Sequence, residues 1–211
     1  LFRSNNRFNR IDKNKNVKEL YLTNDKGDII DSLPTTIDDK SMDMLLLEMP
    51  FFYQYKAGIF YKNPLSDLVY EISIPLSIKP IYEIYTGPVR RSENDFKNMD
   101  KLSQIISVRN IIESDKSIII VFAYKGNFFN IWFDKKSKSA LNVKNIYPGF
   151  IDNITNGPDI LPYWQSSSSE SVFISLLTIE YLEKYPIKIE GNFFKKETID
   201  SNPVLAIVKL K

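Results

Sequence analysis

The sequence predicts an all-β fold, a propeller-like array of antiparallel four-stranded sheets. Apolar residues fall in short runs separated by turn-forming residues, and few stretches show helical spacing. The 211 residues include 12 Tyr and 14 Phe but only 7 Gly, a composition that suits strands. A strand also runs to the end of the chain, at residues 202–211. A terminal strand of this kind closes a ring of sheets, because closure removes the exposed edge of the last sheet.

The predicted strands follow one another along the chain. A first hairpin pairs residues 17–23 with 28–33, and Gly27 supplies the positive φ of its tight turn. Pro50 divides the apolar stretch 44–55 into two strand segments. The clearest hairpin joins 117–123 to 127–133, with Tyr124-Lys125-Gly126 at its tip. The other predicted strands are 58–62, 67–74, 79–85, 140–143, 172–177, 187–190 and the terminal strand.

Two segments show helical patterns within this array. Ser92 can cap a helix whose apolar residues share one face, at Phe96, Met99, Leu102 and Ile106. The stretch 168–185 fits either a strand at its β-branched start or a short helix that ends before Pro186. Both are most simply short insertions between strands. The hairpins recur about every 45–60 residues, within reach of a four-stranded propeller blade, and we predict one domain over residues 1–211.

Composition excludes several classes of chemistry. The formal net charge of +2 is too small for a nucleic-acid binder, which needs clustered Lys and Arg. The sequence has no Cys and no His, so thiolate nucleophiles, imidazole bases and metals held by these residues are excluded. It lacks phosphate-binding loops and dinucleotide-binding glycine fingerprints. No apolar run approaches the ~20 residues that span a bilayer. We therefore predict no cofactor, no metal and no transmembrane segment.

Three stretches carry a family resemblance. Residues 202–211 read Asn-Pro-Val-Leu, followed by alternating apolar residues and Lys-Leu-Lys. Residues 60–72 begin with an aromatic pair, continue as an Asp-Leu-Val-Tyr strand, and lead to Lys79-Pro80-Ile81-Tyr82. Residues 152–157 form a polar loop before Ile160-Leu161-Pro162. In these stretches the chain resembles a large gut-bacterial family of six-bladed β-propellers, most of which have no assigned activity.

The resemblance implies an architecture and a location. Full-length members of that family carry further blades before the point that matches Leu1, so the chain resembles the C-terminal four blades of a six-bladed ring. The first residue is not Met and no signal peptide is present, so we expect a processed protein or a fragment. The blade that partners the terminal strand is then expected outside this chain. Family members commonly bear a lipoprotein signal, which implies the periplasm or an association with the outer membrane.

A polar loop is the first candidate ligand site. Asp152, Asn153, Asn156 and Asp159 offer two carboxylates and two amides, which can hold a cation or sugar hydroxyls. The family's Asp positions fall on Asn153 and Thr155 here, and calcium affinity rises with the number of carboxylate ligands. Turn chemistry explains the same residues, since Asn and Asp favour tight turns. We favour the turn interpretation and keep the loop as a candidate.

Paired arginines form the second candidate. Arg90 and Arg91 lie in a loop after Thr86-Gly87-Pro88, and binding residues are frequent in loops. They can clamp a carboxylate or a sulfate with paired hydrogen bonds. The simpler interpretation is ion pairing with Glu93 and Asp95 at the start of the predicted helix, because exposed charge pairs are common and weak.

The two tryptophans differ in their surroundings. Trp164 follows Tyr163 and precedes a serine run, so this pair can stack a sugar ring or plug the end of a blade. Trp132 lies in a predicted strand between apolar residues, and we predict that it packs in the core.

These observations favour a non-enzymatic propeller of the bacterial cell envelope that binds a carbohydrate or a protein partner. Two alternatives stay open. The first is a carbohydrate-active enzyme with a pair of carboxylates in one cleft, for which Asp152 and Asp159 are the candidates. The second is a truncated fragment without a function of its own.

Overall fold

The computed structural model describes residues 2–4, 18–34, 50–63, 66–89, 104–143, 160, 164–165, 172–178 and 203–209. Within these ranges every regular element is a strand, apart from one 3₁₀ turn at Gly87–Val89. The all-β prediction is therefore confirmed. The strands are β1 (Phe2–Ser4), β2 (Lys18–Thr23), β3 (Ile29–Pro34), β4 (Phe51–Tyr55), β5 (Gly58–Lys62), β6 (Leu68–Ser73), β7 (Ser77–Glu83), β8 (Ser107–Glu113), β9 (Ser117–Tyr124), β10 (Asn127–Asp134), β11 (Ser139–Val143), β12 (Trp164–Gln165), β13 (Val172–Leu177) and β14 (Val204–Lys209).

The strands form four antiparallel sheets, and in each the strand order follows the chain. The sheets are β1-β2-β3, β4-β5-β6-β7, β8-β9-β10-β11 and β12-β13-β14. Two sheets thus have the predicted four strands, and the other two have three described strands. The terminal strand β14 pairs with β13 over its whole length, so it is held by an earlier strand as predicted. Among the described strands β14 is an edge of its sheet, and no strand from the start of the chain joins it there.

The chain divides into two compact units, Leu1–Tyr53 with Gly58–Ile106, and Gln54–Ala57 with Ser107–Lys211. The prediction of one domain over residues 1–211 stays a prediction. In the first unit the core is built from aliphatic and aromatic side chains around the buried Tyr61. The Tyr61 ring lies 5.3 Å from the Phe52 ring and 6.5 Å from the Tyr70 ring, distances at which tilted rings attract one another.

The core of the second unit lies on one face of the sheet β8–β11. Ile112 and Ile119 are buried opposite each other, and Trp132 is paired beside Ile119 on the same face. Ile160 and Val208 pack against this cluster. Because Val208 belongs to β14, the last sheet covers this face of its neighbour. Trp132 is a packing residue, as predicted.

The hairpin between β9 and β10 confirms the turn predicted at Lys125 and Gly126. These two residues alone connect the strands, and both have positive φ, 50° and 73°. Two positive φ values define the type I′ turn, whose twist matches that of the paired strands. The first hairpin also turns through a positive φ, of 93° at Gly27.

Three short or irregular strands, β1, β8 and β12, escaped the sequence analysis. In β8 a bulge at Arg109 shifts the register between Val108 and Asn110, which breaks the alternation of apolar residues. The helix predicted from Ser92 to Ile106 lies outside the described residues except at 104–106, which are not helical and lead directly into β8. Residues 44–49, 179–185 and 187–190 lie outside the described residues entirely. Within the part of the chain described, no helix is long and apolar enough to cross a membrane.

Candidate functional site

The structure does not test most of the predicted site residues. Arg90, Arg91, Asp152, Asn153, Asn156 and Asp159 all lie outside the described residues. Trp164 opens β12, and its backbone pairs with Ile174 of β13. No described contact brings these residues together, so the ligand sites proposed at them stay predictions.

A charged cluster missed by the sequence analysis lies in the second unit. It consists of Tyr55, Lys56, Glu113, Asp115 and Lys135. Tyr55 ends β4 and Lys56 follows it in the turn, where its φ of 53° bends the chain. The turn between β8 and β9 supplies Asp115. The Tyr55 hydroxyl donates a hydrogen bond of 2.6 Å to the Asp115 carboxylate, and the Lys56 ammonium lies 2.8 Å from the same oxygen.

The second half of the charged cluster is built on a buried carboxylate. Glu113 ends β8 and has no exposed surface, and its Oε1 lies 2.5 Å from the Nζ of Lys135. The same ammonium stands 4.3 Å from the centre of the Tyr55 ring, within the range of a cation–π contact. The backbone N–H of Lys135 donates to the carbonyl of Lys116 at 2.8 Å, which fixes Lys135 beside the β8–β9 turn.

Two pKa values show how the exposed half of the cluster is charged. The hydrogen bond from Lys56 lowers the pKa of Asp115 below its ordinary value, and the bond from Tyr55 adds to this effect. The hydrogen bond to Asp115 raises the pKa of Lys56. Asp115 is therefore ionised at neutral pH and does not serve as a general acid there, because a general acid must hold a proton at the working pH.

The chemistry of the charged cluster favours a structural role, in which it holds two turns together, over a reactive site. Its two carboxylates and two ammonium groups pair with one another, so their charges cancel. Glu113 has no surface that a substrate can reach. Sequence patterns could not reveal the cluster, because Tyr55 and Asp115 are 60 residues apart. The described residues also hold no group of three or more His, Cys, Asp or Glu residues that could bind a metal ion.

The last sheet presents a second feature, an apolar face formed by Ile174, Leu176, Leu205 and Ile207. Side chains alternate between the two faces of a strand, so Leu205 and Ile207 point away from the face that carries Val208. Leu205 pairs with Leu176 and Ile207 pairs with Ile174, which makes the four side chains contiguous. Leu205 is 60% exposed and Ile207 is 71% exposed, whereas Ile174 and Leu176 are half-buried.

Exposed apolar side chains recur on the edge strands of other sheets. Ile29 and Ile30 on β3 and Leu141 on β11 are each more than half exposed. They are isolated by comparison, since among the described strands only the last sheet combines two such side chains with two further apolar neighbours on the paired strand. Contiguous exposed apolar surface is typical of a contact site, while single exposed apolar residues are ordinary.

Comparisons with known proteins identify the family of this chain and a solved structure with a similar fold. A family model described as a domain of unknown function, DUF4934, matches residues 4–209. No protein with curated annotation matches the sequence. One similar solved structure is a crystal structure from Bacteroides fragilis NCTC 9343, whose subject is named a putative exported protein. The TM-score is 0.63 at 13% sequence identity, and the match covers 100% of this chain and 62% of that one. The likeness shows a shared fold, and the chain spans less than two thirds of that protein's length.

Proposed function

The chain belongs to the DUF4934 family, a domain of unknown function, and we propose that it acts outside the cytoplasm as a protein-binding module without catalytic activity. The observation that carries the proposal is the apolar face of the last sheet, where Leu205 and Ile207 are 60% and 71% exposed on an edge strand. An edge strand leaves one row of backbone N–H and C=O groups for a partner, and its apolar side chains add specificity.

The energetics of the apolar face support a protein partner rather than a small polar ligand. Fully burying a Leu or Ile side chain contributes ~1.5–3 kcal/mol. Because both residues are more than half exposed, covering Leu205 and Ile207 contributes about 2–4 kcal/mol. A stable protein interface buries roughly 800 Å² on each partner, more than two side chains supply. A partner therefore covers the whole face and extends beyond it, most simply with an apolar β-sheet of its own.

The architecture proposed for this module is a β-propeller, with each sheet as a blade. Four consecutive antiparallel sheets, each in simple chain order, are typical of such an array. The resemblance noted in the sequence is to six-bladed propellers, and this chain matches 62% of the similar exported protein's chain.

Action outside the cytoplasm rests on the likeness to a protein named as exported and on the sequence resemblance to envelope proteins. Fractionation of the cells that produce the protein tests this part separately. We expect the full-length protein in the envelope or periplasmic fraction, and recovery with a cytoplasmic marker contradicts it.

Native complexes test the binding function. The full-length protein is isolated with an affinity tag from its own cells and sized under non-denaturing conditions. We expect a particle heavier than the monomer for the wild type and the monomer alone for the Leu205→Lys/Ile207→Lys variant. Lys79→Glu is the matched control, because Lys79 is exposed on the edge strand β7 of another sheet and its exchange leaves the apolar face intact. Equal particle sizes for all three proteins contradict the proposal.

A further inference from the structure

Two fully buried polar side chains in the second unit find no hydrogen-bond partner among the described residues. Asn130 lies in the middle of β10 and is 1% exposed, and neither atom of its amide is bonded. Its neighbour across the sheet on β9 is Val121, which offers no polar side chain. Ser175 in β13 is 0% exposed, and its hydroxyl is likewise unbonded. A buried polar group without a hydrogen bond lowers the stability of the folded state, so native proteins contain few such groups.

Both side chains belong to the two sheet faces that pack together. Asn130 lies two residues before Trp132 on β10, so the two share a face of that sheet. Ser175 pairs with Ala206, and Ala206 lies two residues before Val208, so these three share a face of the last sheet. Trp132 and Val208 pack against the same buried cluster. Ser175 is therefore one row of residues away from Val208, which contacts the Ile112–Ile119 cluster, and Asn130 pairs with Val121, one row away from Ile119 of that cluster.

The spacing of packed sheets decides how these groups are satisfied. Stacked sheets lie ~10 Å apart. An Asn amide reaches about 3.5 Å from its Cα and a Ser hydroxyl about 2.4 Å, by standard bond lengths of roughly 1.5 Å. About 4 Å is left between facing groups, which exceeds the 2.7–3.2 Å of a direct hydrogen bond. It is close to the ~4.6 Å that separates two groups bound to one water molecule with hydrogen bonds of ~2.8 Å at a tetrahedral angle.

We propose that Asn130 and Ser175 form a buried water-binding site between the last two sheets. One ordered water accepts a hydrogen bond from the Asn130 amide nitrogen and donates to its partner across the interface, the Ser175 oxygen. Buried waters occur at about one per 27 residues and typically bond polar groups that are otherwise unsatisfied. The site fixes how the last sheet sits on its neighbour, because an apolar replacement on either side leaves the other polar group without a bond.

A double-mutant cycle tests the site. Asn130→Val matches its paired neighbour Val121, and Ser175→Ala removes only the hydroxyl. We expect each single variant to lower the melting temperature by about 2–4 °C, the shift typical of 1 kcal/mol in a chain of this size. The double variant should lose clearly less than the two losses together, since neither partner is then left unsatisfied. Additive losses, or single variants as stable as the wild type, overturn the proposal.

A matched control uses Ser107, a third buried polar side chain without a hydrogen-bond partner among the described residues. Ser107 lies on β8, two strands from β10, and pairs with Ala123, so it is too distant to share a water with Asn130. Ser107→Ala and Asn130→Val should therefore add independently. If a variant fails to fold, a crystal structure of the wild-type protein decides. Electron density for a water within 2.6–3.2 Å of both Asn130 and Ser175 supports the site, and a dry interface overturns it.

Discussion

The ammonium group of Lys135 lies 2.5 Å from the carboxylate of Glu113, a side chain with no exposed surface. Glu113 ends β8 and Lys135 follows β10, so the pair joins the C-terminal ends of two strands of one sheet. Burying a carboxylate is costly unless a cation and hydrogen bonds compensate it. The Tyr55 ring also contacts this pair, since the centre of the ring lies 4.3 Å from the same ammonium group.

The first prediction concerns this pair. Lys135→Met keeps a side chain of similar length against Tyr55 but removes the charge. We expect the free energy of unfolding to fall by about 2–3 kcal/mol, below the 3–5 kcal/mol typical of a fully buried pair because Lys135 is 20% exposed. Urea denaturation measures it. The Glu113→Gln/Lys135→Met double variant should recover at least half of the loss, and a Lys135→Met variant as stable as the wild type contradicts the role assigned to the pair.

The second prediction concerns how the contributions of Asp115 and Lys56 to stability depend on pH. The pKa of Asp115 is lowered from an ordinary value of 3.8, so its contribution to stability is present above pH 3.8 and is lost as the pH falls through the lower folded-state pKa. The pKa of Lys56 is raised from 10.5, so its contribution is present below pH 10.5 and is lost as the pH rises through the higher folded-state pKa.

NMR titration of the aspartate carboxyls measures this coupling. Lys56→Met should move the Asp115 midpoint upward toward 3.8, because the largest cause of its low pKa is then gone. Asp134 is an internal control, since its lowered pKa comes from hydrogen bonds of Ser137 and should not change. An Asp115 midpoint that stays in place in the variant rules out the coupling.

The third prediction concerns the β9–β10 turn. A Cβ at position 126 meets no atom within 4 Å, so Gly126→Ala costs only the strain of its positive φ, about 1 kcal/mol. Lys125→Asn should be neutral or slightly stabilising, because Asn tolerates the φ of 50° better than Lys. Thermal unfolding of the two variants measures both effects. A destabilised Lys125→Asn together with an unaffected Gly126→Ala contradicts the type I′ assignment.

Features that depend on local sequence patterns were more predictable than features that depend on contacts between distant residues. The β9–β10 hairpin was predictable because its two strands and its turn are adjacent in sequence. Strand β8 was not, since the bulge at Arg109 interrupts its alternation. The charged cluster was not predictable either, because it joins turns 60 residues apart that each look like ordinary polar turns. In β14 every residue from Val204 to Val208 is apolar, so the sequence predicts a strand but not which of its faces is covered.

The fourth prediction separates the two faces of β14. Val208 packs against the core cluster while its neighbour Ile207 points outward. Val208→Ala should lower the free energy of unfolding by about 1–2 kcal/mol, as for other large-to-small core substitutions. Ile207→Ala should change it by no more than about 0.5 kcal/mol in the isolated protein. Urea denaturation of both variants decides, and a larger loss for Ile207→Ala reverses the assigned orientation of the strand.

Deleting residues 204–211 tests the role of β14 as a whole. The deletion removes one strand of the last sheet and the Val208 contact, so we expect cooperative unfolding of the second unit to be lost. Circular dichroism during thermal unfolding measures it. A soluble deletion variant that unfolds in one sharp transition shows that β14 is dispensable for the fold.

Site-specific photo-crosslinking in living cells is the measurement that tests the binding function most directly. A photoreactive amino acid replaces Ile207 on the apolar face in one protein and the exposed Lys79 on β7 in another. We predict a discrete crosslinked protein at position 207, lost when Leu205→Lys is added, and none of that mass at position 79. No adduct at position 207, or the same adduct at both positions, contradicts a protein-binding role for the last sheet.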